Sequence, residues 1–302
     1  MDDFYNILDE LYSSGNLDEV ERHLRNAVDA SLEGSRERAV LLNELAGFYR
    51  GISRYNESVE AFQESLNIFD KSGMGASSEY ATVLLNLAGL YRMKGDANKA
   101  IGLFSDSMRK LENAGAQSSY SYISVLNNLA LAYQDNKDYG QALEYAERAL
   151  NLLRESGSNE HEIAASLNNL SSIRLHHGEL EAANKLIAES LDIYEGMIEP
   201  DVHHAAALTT KAVIQCRAGD YRNALEGFRR ALELTKRFFG ENLEYAICKR
   251  NIADVCQLIG DIPAAVSELS DAVRVMEGIL DERHPSLVDA KEKLERLRSG
   301  HN

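Results

Sequence analysis

The sequence predicts an all-α protein in which one pair of helices is repeated, and three observations support this fold class. A pattern of 34 positions recurs seven times along the 302 residues. Within it, apolar residues return at helical spacing, as at Leu84, Leu87, Ala88 and Tyr91. No stretch of useful length alternates apolar and polar residues as a strand does. Repeats of this length stack in one dimension, because each buries the apolar face of its neighbour.

A column of turn residues at position 15 fixes the boundaries of the repeats. It places the repeat starts at residues 1, 39, 81, 123, 164, 205 and 246. Glycine at this position favours the end of the first helix of each pair. We expect the repeats to stack into a single domain over residues 1–302. The members of the column are Gly15, Ser53, Gly95, Lys137, Gly178, Gly219 and Gly260.

Helix start signals support the same boundaries. Position 16 carries a side chain that can cap the second helix, and these residues are Asn16, Asp96, Asp138, Asp220 and Asp261. Further signals precede new apolar periods, namely Ser77-Ser78-Glu79, Ser118-Ser119, Pro200-Asp201 and Pro285-Ser286. After the seventh repeat, an amphipathic segment at about residues 286–299 predicts a cap helix that covers the end of the stack.

Composition limits the partners and the compartment. The chain has 32 basic and 48 acidic side chains and a net charge of −16, which opposes nucleic acid and anionic membrane as partners. Three cysteines fit no disulfide framework, as expected in a reducing compartment. No apolar run approaches about 18 residues, and the start lacks the basic region of a signal peptide. We expect a cytoplasmic protein that is a monomer or a weak homo-oligomer.

The pattern resembles the tetratricopeptide repeat family, with apolar or small residues at positions 4, 7, 8, 20 and 27. Position 20 reads Val20, Ser58, Ala100, Ala142, Ala183, Ala224 and Ala265. The period of about 41 residues, with the phrase Leu126-Asn127-Asn128-Leu129-Ala130, is similar to the longer repeats of kinesin light chains. The resemblance implies a right-handed α-solenoid of seven helix pairs with a C-terminal cap helix. It also implies that the first helices line a concave groove that receives an extended peptide.

The first-helix positions that point away from the core carry a ladder of amides. At about 100° per residue, positions 2, 5, 6, 9 and 13 lie opposite the core positions. Position 6 is Asn6, Glu44, Asn86, Asn128, Asn169, Thr210 and Asn251, and position 5 adds Asn43, Asn127, Asn168 and Thr209. A carboxamide can bond the backbone of an extended peptide, whatever the side chains of that peptide. Alternatively, these amides bond to the neighbouring repeat and order the stack.

These columns define the candidate peptide-binding groove. We expect binding to centre on repeats three to five. Because Arg50 and Arg92 lie on successive repeats while Glu44 interrupts the positive charge, the groove favours a mixed or mildly acidic ligand segment. The candidate residues are Asn86, Asn127, Asn128, Asn168, Asn169, Asn251, Arg50, Arg92, Ser124, Thr210 and Arg250.

Catalysis and metal binding lack a motif. The adjacent pairs His176-His177 and His203-His204 cannot form the i, i+4 metal pair of a helix, so we interpret them as solvated or capping residues. Cys216 and Cys256 have no base linked to them by a motif. The lysine and asparagine clamp of co-chaperone repeats is also absent, since no repeat has Lys at both positions 2 and 5. We therefore predict no enzyme activity, no cofactor and no metal.

The predicted function is a protein–protein interaction scaffold that binds a peptide segment of a partner protein. Two alternatives stay open at this point. One is a regulatory receptor that responds to a peptide, as in bacterial proteins built on similar repeats. The other is a structural protein whose solenoid ends assemble into oligomers.

Overall fold

The chain is described by a computed structural model, which covers residues 2–14, 16–52, 54–157, 159–197 and 202–300. Within those ranges it contains fifteen α-helices and no strand. Helices α1 to α14 form seven consecutive pairs, and α15 is the cap helix, so the predicted fold class is confirmed. The helices are α1 (Asp2–Ser14), α2 (Leu17–Ala30), α3 (Arg36–Gly51), α4 (Tyr55–Lys71), α5 (Ser78–Met93), α6 (Ala97–Asn113), α7 (Tyr120–Asp135), α8 (Tyr139–Ser156), α9 (Glu160–His176), α10 (Leu180–Glu195), α11 (Val202–Arg217), α12 (Tyr221–Phe239), α13 (Leu243–Leu258), α14 (Ile262–Glu277) and α15 (Pro285–Ser299).

The predicted start signals cap the helices. The side chains of all five position 16 residues accept a hydrogen bond from a backbone N–H in the first turn of a second helix. The first helices from α3 onward begin three or four residues before the predicted repeat starts, because the caps precede the apolar pattern. Ser77 caps α5 in this way. Gly15, Ser53 and Pro200-Asp201 lie outside the described residues.

The turn between the two helices of a pair needs a left-handed residue. Gly95 has a φ of 81° at this place and Gly219 a φ of 82°. Lys137 adopts the same region with a φ of 63°, although a side chain makes that conformation unfavourable. The backbone of the turn therefore follows the repeat even where the glycine is missing.

The chain divides into two compact units, and each is described by itself. Unit 1 spans Met1–Leu129 and unit 2 spans Ala130–Asn302, so the boundary falls within α7. In unit 1, the helices α1 to α6 contact one another in chain order, from the pair α1 and α2 to the pair α5 and α6, and α3 also contacts α5. The side chains of Phe62, Phe69 and Phe104 are fully buried there. That residues 1–302 form one domain stays a prediction.

Unit 2 follows the same scheme and ends with the cap helix. Consecutive helices from α8 to α15 contact each other, α9 also contacts α11, and α11 contacts α13. Helix α15 lies against α14. Its buried stripe is Leu287, Ala290, Leu294 and Leu297, as the amphipathic sequence predicts.

Buried serines connect the two helices of several repeats. The Oγ of Ser65, Ser107 and Ser190 each donates to a backbone O 26 residues earlier, over 2.7 Å. The three serines occupy position 27 of their repeats, and the acceptors occupy position 1. Other repeats have Ala at this position. Each serine therefore adds one hydrogen bond and only one oxygen atom to the core.

Candidate functional site

In unit 1, the first helices α3 and α5 share a side on which small and polar side chains are half-buried. Apart from Arg50 and Arg92 at position 12, these side chains lie at the repeat positions that the sequence predicts to point away from the core. We call this surface the unit 1 face. It consists of Asn43, Glu44, Gly47 and Arg50 on α3 and Thr82, Asn86, Gly89 and Arg92 on α5.

Two amides of the unit 1 face bind each other. The Nδ2 of Asn86 donates to Oδ1 of Asn43 over 3.0 Å, and this bond joins α5 to α3. The Nη1 of Arg50 donates to the backbone O of Asn86 over 3.4 Å. A Cβ at Gly89 would lie 3.4 Å from that nitrogen, so the glycine makes room for Arg50. At this pair of repeats, the amides therefore order the stack.

Two charges of α3 lack an ionic partner. Burial raises the pKa of Glu44, and a hydrogen bond from Asn43 at 3.4 Å opposes this only weakly. Burial also lowers the pKa of Arg50. Among the described residues, no oppositely charged group forms a salt bridge with either side chain. A ligand with an oppositely charged group would therefore stabilise the charge of Glu44 or Arg50, whose solvation by water burial has already weakened.

Three candidate residues lie on α7 in unit 1, where Ser124, Asn127 and Asn128 are half-buried. The Nδ2 of Asn128 donates to the backbone O of Ser124 over 2.9 Å. This bond stays within one helix, so it does not connect repeats. The Oδ1 of Asn128 remains as an acceptor on this side of α7.

In unit 2, the first helices α9, α11 and α13 present the corresponding half-buried side chains. We call this surface the unit 2 face. Its residues are Ala165, Asn168, Asn169 and Ser172 on α9, Thr209, Thr210 and Val213 on α11, and Arg250, Asn251 and Asp254 on α13.

The amides of α9 form no hydrogen bond with any described residue. The Oδ1 of Asn168 is buried and has no hydrogen-bond partner in the described part of the chain. The carboxamide of Asn169, half-buried beside it, also makes no hydrogen bond to a described residue. Thr210 lies at the repeat position that Asn86 occupies in unit 1, but its Oγ1 donates to Ala206 O of its own helix over 3.2 Å. The shorter side chain therefore leaves the oxygen of Asn168 without a donor.

Of the charged residues on or near the unit 2 face, Asp254 has an ionic partner. The Nζ of Lys293 on the cap helix donates to Oδ1 of Asp254 over 2.6 Å. Arg217 is exposed, and its Nη1 donates to the backbone O of Leu175 over 3.0 Å. Arg250 is half-buried on α13. The unit 2 face thus combines neutral donors and acceptors with the charge of Arg250.

Charged residues at two apolar positions of the repeat are also compensated. Lys249 is 13% exposed, and its Nζ forms salt bridges of 2.6 Å with Glu268 and 3.3 Å with Asp271. Arg174 pairs with Glu179 and Glu147. These partners explain how the helix pairs accommodate residues that depart from the repeat pattern.

The two adjacent histidine pairs lie in different surroundings. His176 lies 3.0 Å from Nε2 of Gln134, and His177 lies 2.8 Å from Oε1 of Glu179. The solvated interpretation is wrong for His204, which is buried and stacked on Tyr194 with ring centroids 5.6 Å apart. The adjacency of two histidines could not reveal this, because one ring of such a pair turns inward.

The cysteine thiols are poor nucleophiles. Burial raises the pKa of Cys248 to about 12 and raises the pKa of Cys216 and Cys256, so little thiolate forms at neutral pH. The part of the chain that the structure describes contains no cluster of three His, Cys, Asp or Glu side chains that could hold a metal ion. In the same ranges, no helix combines the length and the apolar character needed to cross a membrane.

The chain belongs to the tetratricopeptide repeat family. The sequence pattern of that family matches residues 37–113, 121–196 and 203–278, which is most of the chain. The resemblance predicted from the repeat columns is thereby confirmed. No curated protein matches the sequence.

Several solved structures have a similar fold. NprR in complex with its cognate peptide NprX superposes with a TM-score of 0.70 at 17% identity, over 99% of this chain and 83% of NprR. A Rap protein complexed with competence and sporulation factor superposes with a TM-score of 0.59 at 13% identity, over 99% of this chain and 97% of Rap. One form of the nearly identical repeats assigned to a kinesin light chain of Podosopora anserina superposes with a TM-score of 0.50 at 16% identity, over 66% of this chain and 95% of that protein. At these identities the likeness concerns the fold alone.

Proposed function

We propose that this chain is a non-enzymatic adaptor that binds an extended peptide segment of a partner protein on the first helices of its repeats. The observation that carries the proposal is the pair of unbonded carboxamides on α9, Asn168 and Asn169. A buried acceptor without a donor costs about 1–3 kcal/mol. The backbone of an extended peptide has free N–H and C=O groups on both of its edges, so it can satisfy both ends of a carboxamide.

Binding requires Asn168 to turn its oxygen toward the peptide. A rotation of about 180° around χ2 exchanges the two ends of a carboxamide, and this torsion is broad. The side chain loses no hydrogen bond within the described residues when it turns, because it makes none. The rotation therefore costs no internal hydrogen bond, and the Nδ2 then takes the buried place of the Oδ1.

The spacing of the repeats suits an extended peptide. Packed helices lie about 8–10 Å apart, and an extended chain advances about 3.3 Å per residue. About three residues of a peptide therefore pass from one first helix to the next. On the unit 2 face such a peptide meets Asn169, then Thr209, then Asn251, each of which can bond main-chain groups.

The proposed partner is a protein. The net charge of −16 disfavours nucleic acid and anionic membrane, and the unpaired Glu44 and Arg50 favour a segment of mixed charge. The complex of NprR with its cognate peptide supports peptide binding as a use of this fold, by analogy only. The regulatory and self-assembling alternatives stay predictions, as does the cytoplasmic location.

A peptide library tests the proposal without knowledge of the natural partner. Random peptides of about 20 residues, long enough to cover several repeats at about three residues per repeat, are displayed on phage and selected on the wild-type protein and on the double variant Asn168→Ala/Asn169→Ala. The matched control is Asn151→Ala, which removes an exposed amide from the second helix α8. We expect wild type and control to enrich the same peptides and the double variant to lose them. Equal enrichment on all three proteins, or none on wild type, would refute peptide capture by these amides.

A further inference from the structure

A small pocket opens beside the unit 1 face, between α3, α4 and α5. Its volume is about 130 Å³. Residues from three helices line it, so it depends on the packing of repeats two and three. The lining residues are Val40, Asn43, Glu44, Phe69, Glu79, Thr82 and Val83.

The size of the pocket suits one side chain. Sites for small molecules usually have volumes of about 300–1,000 Å³. An engineered cavity of about 150 Å³ holds a single benzene molecule. The pocket therefore fits the end of one residue of a bound peptide and is too small for a typical free metabolite.

The walls of the pocket are apolar and its charge is negative. Val83 and Phe69 are buried, and Val40 is half-buried. Two carboxylates, Glu44 and Glu79, lie among the lining residues. A guest in this pocket therefore needs an apolar stem and a cationic head.

The two carboxylates differ in what they already bind. Glu79 forms a salt bridge with Arg36, which lowers the pKa of Glu79 to about 2. Glu44 has only the weak hydrogen bond from Asn43. Two tyrosines of α1, Tyr5 and Tyr12, are near enough that burial and then the charge of Glu44 raise their pKa. No Lys, Arg or His of the described residues forms a salt bridge with Glu44. The missing counter-charge is a cation.

We propose that this pocket receives a lysine or arginine side chain of the bound peptide, with the cationic head on the carboxylate of Glu44. The aliphatic stem of that residue lies along Val40, Phe69 and Val83, as such stems do on apolar surface. An ammonium or guanidinium donating to a carboxylate makes a strong, charge-assisted hydrogen bond. This inference rests on the proposed binding of an extended peptide and specifies one residue of it.

The library selection tests the pocket when it is repeated on three proteins, namely wild type, Glu44→Gln and the control Glu60→Gln. Glu60 is an exposed carboxylate on α4. Wild type and control should enrich peptides with Lys or Arg at one fixed position, and Glu44→Gln should not. For an enriched peptide, Glu44→Gln should raise the Kd measured by fluorescence polarisation about tenfold. The analogue with norleucine in place of the basic residue should bind wild type and Glu44→Gln equally.

A second variant and a pH titration guard against an indirect effect. Thr82→Leu fills the pocket but keeps Glu44. It should weaken the binding of the basic peptide about as much as Glu44→Gln does. Because burial raises the pKa of Glu44, acidification should protonate its carboxylate and weaken the binding of the basic peptide. The affinity of the norleucine analogue should not change with pH. Glu79 stays ionised above pH 4 because Arg36 holds its pKa at about 2, and the phenols stay neutral throughout.

The outcomes separate this inference from the proposed function. If wild type enriches no peptide, peptide capture itself fails, and the pocket assignment fails with it. If wild type enriches peptides without a preferred basic position, or if Glu44→Gln keeps that preference, only the pocket assignment is overturned. The pocket assignment is supported if Glu44→Gln loses the preference for a basic residue, the control Glu60→Gln keeps it, and Glu44→Gln melts at a temperature no lower than that of wild type.

Discussion

Asn43 in unit 1 and Asn168 in unit 2 occupy the same repeat position, but among the described residues only the first has a donor for its oxygen. The oxygen of Asn43 accepts from Asn86 at 3.0 Å. The residue equivalent to Asn86 in unit 2 is Thr210, which donates to its own helix instead. The residue at position 6 of the next repeat, Asn86 or Thr210, thus decides whether the oxygen of a position 5 amide has a donor.

The charges differ in the opposite sense. On the unit 1 face, Glu44 and Arg50 form no salt bridge within the described residues. On the unit 2 face, the cap helix supplies Lys293 to Asp254, and Arg250 is the charged residue of the face that forms no salt bridge within the described residues. We infer that the unit 2 face suits main-chain binding, which tolerates many sequences, whereas the unit 1 face suits charge selection. Three predictions test this difference, and a fourth compares the turns of the two units.

The largest effect is expected from the amides of unit 2. The double variant Asn168→Ala/Asn169→Ala should weaken an enriched peptide about thirtyfold, because each lost hydrogen bond is worth about 1 kcal/mol. The double variant Asn43→Ala/Asn86→Ala should change the Kd less than threefold, since those two amides bind each other. Titration calorimetry on both variants measures the difference. Equal losses would contradict the division between the units.

A single substitution should convert unit 2 toward the arrangement of unit 1. Thr210→Asn places a carboxamide where Asn86 lies, so its Nδ2 can donate to Oδ1 of Asn168. We expect the free energy of unfolding to rise by about 1 kcal/mol and peptide affinity to fall about fivefold. Urea unfolding and peptide titration measure the two changes. A stabilised variant with unchanged affinity would show that Asn168 does not contact the peptide.

Position 6 should respond oppositely in the two units. Asn86→Ala loses a hydrogen bond worth about 1 kcal/mol and regains up to about 0.7 kcal/mol because Ala is the better helix residue. Asn169→Ala loses no internal bond and should gain about 0.5 kcal/mol. Urea unfolding curves of the two single variants compare them directly, and a net loss in Asn169→Ala would indicate an internal role for that amide.

The turn at position 15 gives the smallest expected effect. Lys137→Gly should stabilise unit 2 by about 0.5 kcal/mol, because relief of the left-handed strain exceeds the entropy cost of glycine. Gly95→Lys should destabilise unit 1 by a similar amount. Thermal unfolding of both variants checks the pair, and a destabilised Lys137→Gly would mean that the side chain of Lys137 makes an unrecognised contribution.

The helices and their caps could be predicted from the sequence because their signals are local. The apolar period, the caps such as Asp96 and the amphipathic segment after residue 285 each act within a few residues of the helix they define. The turn at Lys137 followed the repeat although glycine is absent. The buried serines at position 27 were not anticipated, because Ser and Ala are equally compatible with a small-residue position.

The use of each amide could not be predicted from its column. Asn86 and Asn169 both stand at position 6, but only Asn86 faces an amide of the preceding repeat that accepts its hydrogen bond. The pocket beside the unit 1 face was also missed, since Phe69 and Glu79 lie outside the groove columns. In the sequence, Glu44 only interrupts a positively charged column. Its lack of an ionic partner among the described residues is visible only in the structure.

A crystal structure of the protein with an enriched peptide tests most directly whether the amides of α9 bind a peptide backbone. We expect an extended peptide along α9, α11 and α13, with main-chain atoms within about 3.2 Å of the carboxamides of Asn168 and Asn169. A peptide bound on the second helices α10, α12 and α14, with both carboxamides unbonded as they are in the free protein, would contradict it.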